Sequence, residues 1–427
     1  MLDIKFIRDN LKLVKQNNKN KKVDVDVEKM IELDSRRREF QIELESLRNE
    51  KNKISKTKPN EVEILEMKKM GEKIKSLESQ IKEMEPQVEE ILLKIPNLVH
   101  ESTPVGPDES GNKVLREVGK KPKFSFKPKE HWELGKEHDL IDNEKAAQIA
   151  GSRFTYLKGK LALLQFALIN HALSILTDKE YLKKIIEKNN LSVVDTPFIP
   201  IIPPVFIKPE IFNKMARLEP KEERYYIPSD DLFLIGSAEH TLGPLHMDET
   251  IDERILPIRY VGISLAFRRE AGSYGKDTKG ILRVHQFDKI EMESFSLPEK
   301  STEEQNFFVA IQEELMNTLN LPYRIVQICT GDMGGPDARQ IDLETWMPGQ
   351  NKYRETHTSD LMTDYQSRRL KTKYKKIDGT TNLVHMNDAT AYAVGRTLIA
   401  IMENYQQEDG IIIVPEALRK YVGFEKI

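Results

Sequence analysis

The residues best suited to chemistry lie between positions 267 and 293, where arginines, carboxylates and an aromatic ring surround a loop rich in Gly, Ser and Lys. Arg268 and Glu270 precede that loop, and an alternating run follows it. Since alternate side chains of a strand share one face of a sheet, the run predicts one face made of Arg283, His285, Phe287, Lys289, Glu291 and Glu293. Arginine suits phosphate, a phenyl ring stacks on a planar base, and carboxylates hold an amine or a hydroxyl. The segment therefore predicts a pocket for an anionic, planar ligand; the alternative is a charged hairpin that faces solvent.

The composition excludes several classes of protein. At 427 residues the chain has room for two or three domains. Charged residues make up 32% of the chain and the formal net charge is -3, so any nucleic-acid site requires basic residues gathered locally. A single cysteine, Cys329, excludes a disulfide framework and a cysteine-rich zinc site.

The first residues, MLDIKFIRDN, lack the apolar core of a signal peptide. No uninterrupted apolar run approaches the roughly 20 residues that cross a bilayer. We therefore expect a soluble, cytoplasmic protein without a membrane partner.

Two runs near the N terminus place their apolar positions three and four residues apart, as coiled coils do. The first run contains Leu33, Arg37, Phe40, Leu44, Leu47, Lys51 and Ile54. The second contains Met67, Met70, Ile74, Leu77, Ile81, Met84, Val88 and Ile91. Pro59 and Asn60 between the runs end a helix, so we expect an antiparallel helical hairpin over about 28–92. Pro86 is expected to kink or break its second helix.

The tip of this predicted arm is basic, with no acidic residue among Lys51, Lys53, Lys56 and Lys58. These lysines are either a solubilising surface or contacts to a phosphate backbone, in which case binding weakens with salt.

The residues after the arm differ from it in composition and in predicted structure. Residues 96–131 are rich in Pro, Gly and charge, which predicts a linker with short extended pieces. Residues 159–175 are apolar on nearly every face, which predicts a helix buried in a core or an oligomer interface. Four prolines interrupt the strand-like residues 191–206, which places that segment at a sheet edge or a subunit boundary.

Several stretches, in order along nearly the full length, together resemble seryl-tRNA synthetases of the bacterial type, a family of class II aminoacyl-tRNA synthetases. They are the N-terminal arm, HESTPVG, AAQIAGSRFTYLKG, Pro197, SAEH, FRREAGSYGKDTKGILRVHQFDKIE, CTGDMGG, DLETWMPGQNKYRE, AVGRTLIAIMENYQ and DGIIIVPEALRKY. A lone FRxE motif would be weak evidence for this family, whereas the whole set of motifs in family order, with the arm in front, is strong evidence.

The resemblance implies an α+β fold. An N-terminal antiparallel helical hairpin, the coiled-coil arm, would precede a class II catalytic domain with a mainly antiparallel six-stranded sheet flanked by helices. The implied domains are a tRNA-binding domain at 1–98, a connector at 99–130 and an aminoacylation domain at 131–427. The family forms homodimers, and Pro197 falls in the region that resembles its dimer-interface motif.

The implied activity is ATP-dependent attachment of L-serine to tRNA(Ser), and to tRNA(Sec) where that tRNA is present; no DNA partner is implied. The serine carboxylate attacks the α-phosphate of ATP to give seryl-adenylate, and a terminal ribose hydroxyl of the tRNA then attacks the mixed anhydride. Because the first nucleophile is already an anion, catalysis requires alignment and charge stabilisation rather than a base.

For ATP, the resemblance implies two catalytic arginines, Arg268 and Arg396. Arg268 would contact the serine carboxylate and the α-phosphate, Glu270 the adenine side and Arg283 the γ-phosphate, while Phe287 would stack on adenine. Arg396 would cover the opposite face of the nucleotide, and a helix-start salt bridge is its alternative. The residues matched to ATP-binding positions are Arg268, Arg269, Glu270, Arg283, Val284, Phe287, Glu355, Thr356, His357, Thr358 and Arg396.

For the metal, Glu355 and Thr358 match the family's Mg²⁺ ligands, and oxygen ligands suit that ion. The residues matched to serine-binding positions are Ser237, Ala238, Glu239, Arg268, Glu291 and Thr390. Glu239 would hold the α-ammonium, and Glu291 and Thr390 would receive the hydroxyl. A site that pairs a substrate hydroxyl rejects alanine, because its own polar groups would otherwise stay unpaired.

The sequence departs from the family's usual residues at 334–339, at 360–361, at 387–390 and at Arg269. The departures at 360–361 and 387–390 motivate the alternative of a non-catalytic RNA-binding or regulatory paralogue. A serine:carrier-protein ligase is a further alternative, although a long arm with a basic tip has little use there.

Overall fold

The computed structural model of the chain describes residues 1–56, 59–271, 277 and 279–427. These form two compact units, Met1–Leu98 and Val99–Ile427.

The first unit contains the helices α1 (Ile4–Asp9), α2 (Leu11–Asn20), α3 (Val27–Ser55) and α4 (Glu61–Lys94). Helix α4 begins with a capping box, in which the Asn60 side chain accepts a hydrogen bond from the Glu63 amide and the Glu63 carboxylate accepts one from the Asn60 amide. The helix is not interrupted at Pro86. A proline removes only one backbone hydrogen bond, and the remainder of this long helix is supported by its packing on α3.

Helices α3 and α4 run antiparallel, as the sequence predicts. Arg37 pairs with Glu85 and Arg48 pairs with Glu78. Residues later in α3 therefore pair with residues earlier in α4, as antiparallel helices require. Between the helices lie buried Leu44, Leu77 and Ile81, with Phe40, Leu47 and Ile74 packed against them. The spacing of these apolar positions is what holds the hairpin together.

The second unit mixes helices and strands. Its helices are α5 (His131–Glu137), α6 (Asn143–Ala150), α7 (Gly159–Leu176), α8 (Lys179–Lys188), α9 (Pro209–Lys214), α10 (Glu239–Leu242), α11 (Ser301–Thr318), α12 (Tyr365–Leu370), α13 (Val394–Tyr405) and α14 (Glu416–Val422). Its strands are β1 (Lys113–Val118), β2 (Ile141–Asp142), β3 (Tyr156–Leu157), β4 (Ile199–Ile201), β5 (Phe206–Ile207), β6 (Tyr226–Ile227), β7 (Leu232–Leu234), β8 (Thr250–Asp252), β9 (Ile258–Phe267), β10 (Gln286–Ser296), β11 (Tyr323–Gln327), β12 (Arg339–Met347), β13 (Lys352–Thr363), β14 (Lys373–Lys375), β15 (Thr381–Leu383) and β16 (His385–Ala393).

Within the described residues the main sheet has eight strands in the order β1-β11-β12-β13-β16-β10-β9-β4. All neighbours are antiparallel except β4 and β9. The predicted mainly antiparallel sheet is confirmed, but its strand number is larger than the expected six. The six strands from β11 to β9 are extended by β1 from the predicted connector at one edge and by β4, whose central residue is Pro200, at the other.

The sheet has one apolar and one polar face, because apolar and polar residues alternate along its long strands. On β10, Ile290 and Met292 point into the main hydrophobic core, whereas Lys289 and Glu291 point to the other face. Helices α7, α11 and α13 cover the apolar face and share that core. The opposite face is left for charged side chains and carries the candidate site.

By length and composition alone, α7 could span a membrane, and it is the one helix of the described ranges that could. Leu161, Leu164, Leu168 and Ile175 of this helix are buried in the main core, and core helices pass the same test. Within this chain the core covers only part of its surface, since the Leu163 side chain is 51% exposed and that of Phe166 is 59% exposed. An oligomer interface, the other predicted place of burial, stays a prediction.

Candidate active site

A cavity of about 320 Å³ opens on the polar face of the main sheet. Hairpin β9–β10, strands β13 and β16 and the start of α13 supply most of its walls. The cavity brings together these residues singled out from the sequence: Glu239, Arg268, Glu270, Arg283, Val284, Phe287, Glu291, Glu355, Thr356, Thr358, Thr390 and Arg396.

One end of the cavity combines guanidinium groups with an aromatic ring. Arg268, just after β9, donates from Nε to the Gly236 carbonyl at 3.1 Å, and its guanidinium carbon lies 5.4 Å from the centre of the Phe287 ring. Arg283 donates from Nη1 to Glu270 Oε2 at 3.0 Å. Positive charge and an aromatic face thus occur side by side, as an anionic nucleotide requires.

Arg396 lies near the start of α13, on another wall of the same cavity. Its Nη1 donates to the Glu355 carbonyl at 2.9 Å and lies 3.2 Å from Glu355 Oε1. The salt bridge considered for this arginine is therefore present. It does not exclude ligand binding, because a guanidinium carries five N–H donors and both partners line the cavity.

The predicted metal ligands can be tested for fit. Glu355 and Thr358 line the cavity, and Asp342 lies opposite Thr358 on the neighbouring strand. Burial, and then the negative charge of Glu355, raises the pKa of Asp342, so a cation here would relieve a real repulsion. Although the described residues contain no ready-made group of three such ligands, two carboxylates and a hydroxyl suit Mg²⁺, which usually keeps waters and shares phosphate oxygens.

The other end of the cavity centres on Lys289, which the sequence did not single out as a site residue. Its ammonium nitrogen lies 2.7 Å from Glu291 Oε2 and donates to Ser237 Oγ at 2.9 Å. Glu291 on β10 lies directly opposite Thr390 on β16. A carboxyl and a hydroxyl are thus presented together, next to a buried cation.

Two carboxyl groups at this end have pKa values shifted in opposite directions. Burial opposes ionisation of Glu239, but Lys289, His240, Arg217 and a hydrogen bond from Ser237 together outweigh it, so the pKa of Glu239 is lowered. Burial raises the pKa of Glu291 to about 8, despite the nearby charge of Lys289. Within the described residues, Glu239 Oε2 and Glu291 Oε1 accept no hydrogen bond. One group can hold an ammonium ion while the other, protonated near neutral pH, can hydrogen-bond to an alcohol.

The comparisons with known proteins agree with this geometry. Residues 1–99 match the model of the seryl-tRNA synthetase N-terminal domain, and residues 224–405 match that of the tRNA synthetase class II core domain (G, H, P, S and T). A serine–tRNA ligase of Nitrosopumilus maritimus is 39% identical over 435 residues, covering 100% of both chains. The chain belongs to the seryl-tRNA synthetase family. The resemblance inferred from the sequence motifs is confirmed.

Solved structures support the same family. Seryl-tRNA synthetase from Pyrococcus horikoshii, crystallised with ATP, has a TM-score of 0.90 and 36% identity, covering 100% of this chain and 99% of that one. Cytoplasmic serine–tRNA ligase from Naegleria fowleri, in complex with AMP, has a TM-score of 0.86 and 33% identity, covering 100% and 98%. The α+β fold predicted for this seryl-tRNA synthetase is thus matched over its whole length.

Four of the residues predicted for the site of this synthetase lie outside the cavity lining. Ser237 is buried behind Glu239 and reaches the site through Lys289. Ala238 is buried. The exposed Arg269 lies with its guanidinium over the ring of Tyr225.

His357 is the fourth. It occupies the apolar side of β13, where its Nδ1 lies 2.9 Å from Thr356 Oγ1 and its ring packs near Tyr392. Burial lowers the pKa of His357 to about 3, so its imidazole is neutral and structural in character.

The structure also places residues in the cavity that sequence reasoning missed, above all Arg217, Asp337, Asp360 and Asp388. Arg217 follows α9 in a segment without a motif, so no local signal marked it. Burial raises the pKa of Asp388 to about 6, with Arg217 opposing that shift. The available signal was that the three aspartates all lie in segments where the sequence departs from the family.

Proposed function

We propose that this seryl-tRNA synthetase joins L-serine to tRNA(Ser) in two ATP-dependent steps through seryl-adenylate. The observation that carries the proposal is the single cavity with two distinct ends. One end offers Arg268, Arg283 and Phe287 to a nucleotide, and the other offers Glu239 and Glu291 to a small amino acid. The relatives, named as serine–tRNA ligases, and the structures crystallised with ATP or AMP support the same activity.

In the first step the serine carboxylate attacks the α-phosphate of ATP and pyrophosphate leaves. Arg268, at the nucleotide end, would contact both reacting groups, so that charge developing at phosphorus meets a fixed guanidinium. Arg396 would cover the nucleotide from the opposite wall. Glu355 and Thr358, with Asp342 nearby, would hold Mg²⁺, which neutralises phosphate charge when bound.

Recognition of serine would use three groups. The negative charge of Glu239 binds the α-ammonium, and the opposed pair Glu291 and Thr390 receives the side-chain hydroxyl. An alanine substrate would leave these two buried polar groups unpaired, which costs about 1–3 kcal/mol for each. Discrimination against alanine follows from that loss.

The helical hairpin would bind tRNA through the lysines at its tip. Lys53 and Lys56 are exposed and Lys51 is half-buried, while Lys58 lies outside the described residues. Each phosphate that a lysine neutralises adds salt-dependent affinity. We also propose the division into a tRNA-binding domain at 1–98, a connector at 99–130 and a catalytic domain at 131–427.

A homodimer and a cytoplasmic location belong to the same proposal. Apolar side chains of α7 and β4, including Phe166 and Ile199, are more than half exposed, and Ile202 just after β4 is 85% exposed. Large exposed apolar groups close together are typical of an interface. Serylation of tRNA(Sec) stays a prediction from the family resemblance.

The test is ATP–pyrophosphate exchange with purified protein. We expect exchange that depends on serine and is much weaker with threonine or alanine. No exchange with serine, or equal exchange with threonine, would refute the proposal. Binding of tRNA without adenylate formation would instead favour the non-catalytic paralogue. The assembled cavity and the named relatives favour the active enzyme.

A further inference from the structure

The amino-acid end of the cavity borders a row of acidic side chains that the proposed reaction does not use. Across neighbouring strands, Glu293 on β10 lies opposite Asp388 on β16, and Asp388 lies opposite Asp360 on β13. This row is one step along the strands from the pair Glu291 and Thr390 and shares its face of the sheet. Like charges directly opposite each other across strands are destabilising, so any ionised members of the row need positive charge.

Arg217 supplies that charge from the segment after α9. A single atom, Nη2, lies 3.2 Å from Asp388, 3.4 Å from Asp360 and 3.4 Å from Asp337. The Arg217 side chain is 16% exposed, and the three carboxylate side chains are at most 8% exposed. One guanidinium thereby joins the loop before β12 to strands β13 and β16.

The three carboxylates come from the three segments in which the sequence departs from the family. Asp337 lies in 334–339, Asp360 in 360–361 and Asp388 in 387–390. In the sequence these departures look independent, whereas the structure gathers all of them around Arg217. They therefore form one feature rather than separate losses of the family pattern.

The position of this cluster connects it to substrate contacts. Asp388 lies two residues before Thr390 on the same face of β16. Fixing Asp388 fixes the strand segment that carries the Thr390 hydroxyl. Displacements of about 1 Å in such positioning groups can lower rates by about 100-fold.

Given the proposed activation of serine, on which this step rests, we propose that Arg217 is a positioning residue for the amino-acid subsite. It neutralises the acidic row and so keeps Thr390 and Glu291 in register to receive the substrate hydroxyl. A buried ion cluster is damaged far more by removal of one partner than by removal of both, because an uncompensated charge stays behind.

The test compares three variants by steady-state pyrophosphate exchange. Arg217→Met should raise the KM for serine by about tenfold or more and leave the KM for ATP within about twofold. The combined change Arg217→Met, Asp360→Asn and Asp388→Asn removes charges of both signs and should restore most of the affinity for serine. Arg217→Lys keeps a positive charge and should lie between the unaltered protein and Arg217→Met. Arg116→Met, which removes a surface guanidinium paired with Glu313, is the matched control and should behave like the unaltered protein.

Several results would overturn the role of Arg217. They are an unchanged serine KM in Arg217→Met, an equal rise in the KM for ATP, and a combined variant that folds but binds serine as poorly as Arg217→Met. If Arg217→Met does not fold, the combined variant and Arg217→Lys decide the matter by the same criteria. Absence of serine-dependent exchange in the unaltered protein would instead refute the proposed function, and this role with it.

Discussion

Replacement of Glu239 by glutamine tests the binding of the amino group most sharply. Glutamine keeps the size of the side chain and removes its negative charge. Glu239 is 7% exposed and its Oε2 accepts no hydrogen bond within the described part of the chain. Lys289 and the other neighbouring groups together keep the pKa of Glu239 low despite its burial, so it is ionised at neutral pH. We propose the serine ammonium as the partner of this oxygen.

The size of the effect follows from the kind of bond that is lost. A hydrogen bond between charged groups contributes about 1.5–3 kcal/mol, and each 1.4 kcal/mol is a tenfold change. Glu239→Gln should therefore lower kcat/KM for serine by roughly 10- to 150-fold. The KM for ATP should stay close to that of the unaltered protein, because Glu239 interacts with Lys289 and Arg217 rather than with the residues proposed for the nucleotide.

The assay is pyrophosphate exchange with serine and ATP varied in turn, with thermal unfolding as a check on folding. Asp252→Asn, a change at an exposed carboxylate paired with Arg254, serves as the control. If Glu239→Gln left the serine dependence unchanged, or weakened ATP and serine equally, the assignment of Glu239 to the ammonium group would be refuted.

Three further predictions concern other parts of the molecule. Phe287→Ala should raise the KM for ATP by about tenfold while serine binding changes little, since stacking on a base contributes about 1–3 kcal/mol; an unchanged KM for ATP would exclude stacking. Glu291 has a pKa raised from 4.5 to about 8 by burial, so its contribution to folding stability is complete below pH 4.5 and is lost as the pH rises to about 8. Glu291→Gln should flatten the fall in Tm between pH 5 and 8, and an equally steep fall would contradict this. Changing the arm lysines Lys51, Lys53 and Lys56 to glutamine should weaken tRNA charging without affecting pyrophosphate exchange. The slope of log affinity for tRNA against log salt concentration should become shallower by about 0.7–0.9 for each lost phosphate contact. An equal loss of exchange would indicate a folding role for these lysines.

Local patterns predicted the arm well because its structure depends on local spacing. The three-and-four spacing around Leu44 and Leu77 determines both the helices and their pairing. The hairpin β9–β10 could also be predicted from its sequence pattern, although β10 begins at Gln286 rather than at Arg283. Pro86 was expected to kink or break α4, and the helix continues through it without a break, because tertiary packing can override a local preference.

The cavity was predictable only in part. Residues that carry a family motif, such as Arg268 and Arg396, could be assigned from sequence, and the structure places both in one cavity. The ion pair between Lys289 and Glu291 could not be predicted from sequence, since it depends on the burial of both groups. Arg217 could not be found at all, because its partners are more than 100 residues away and only strand register brings them together.

The most direct test of the whole account is a crystal structure of the protein with a non-hydrolysable analogue of seryl-adenylate. We expect the adenine on Phe287, the phosphate beside Arg268, the ammonium on Glu239, and the serine hydroxyl between Glu291 and Thr390. An analogue bound elsewhere, or a serine moiety that contacts neither Glu239 nor Glu291, would contradict the claim that one cavity holds nucleotide and amino acid together.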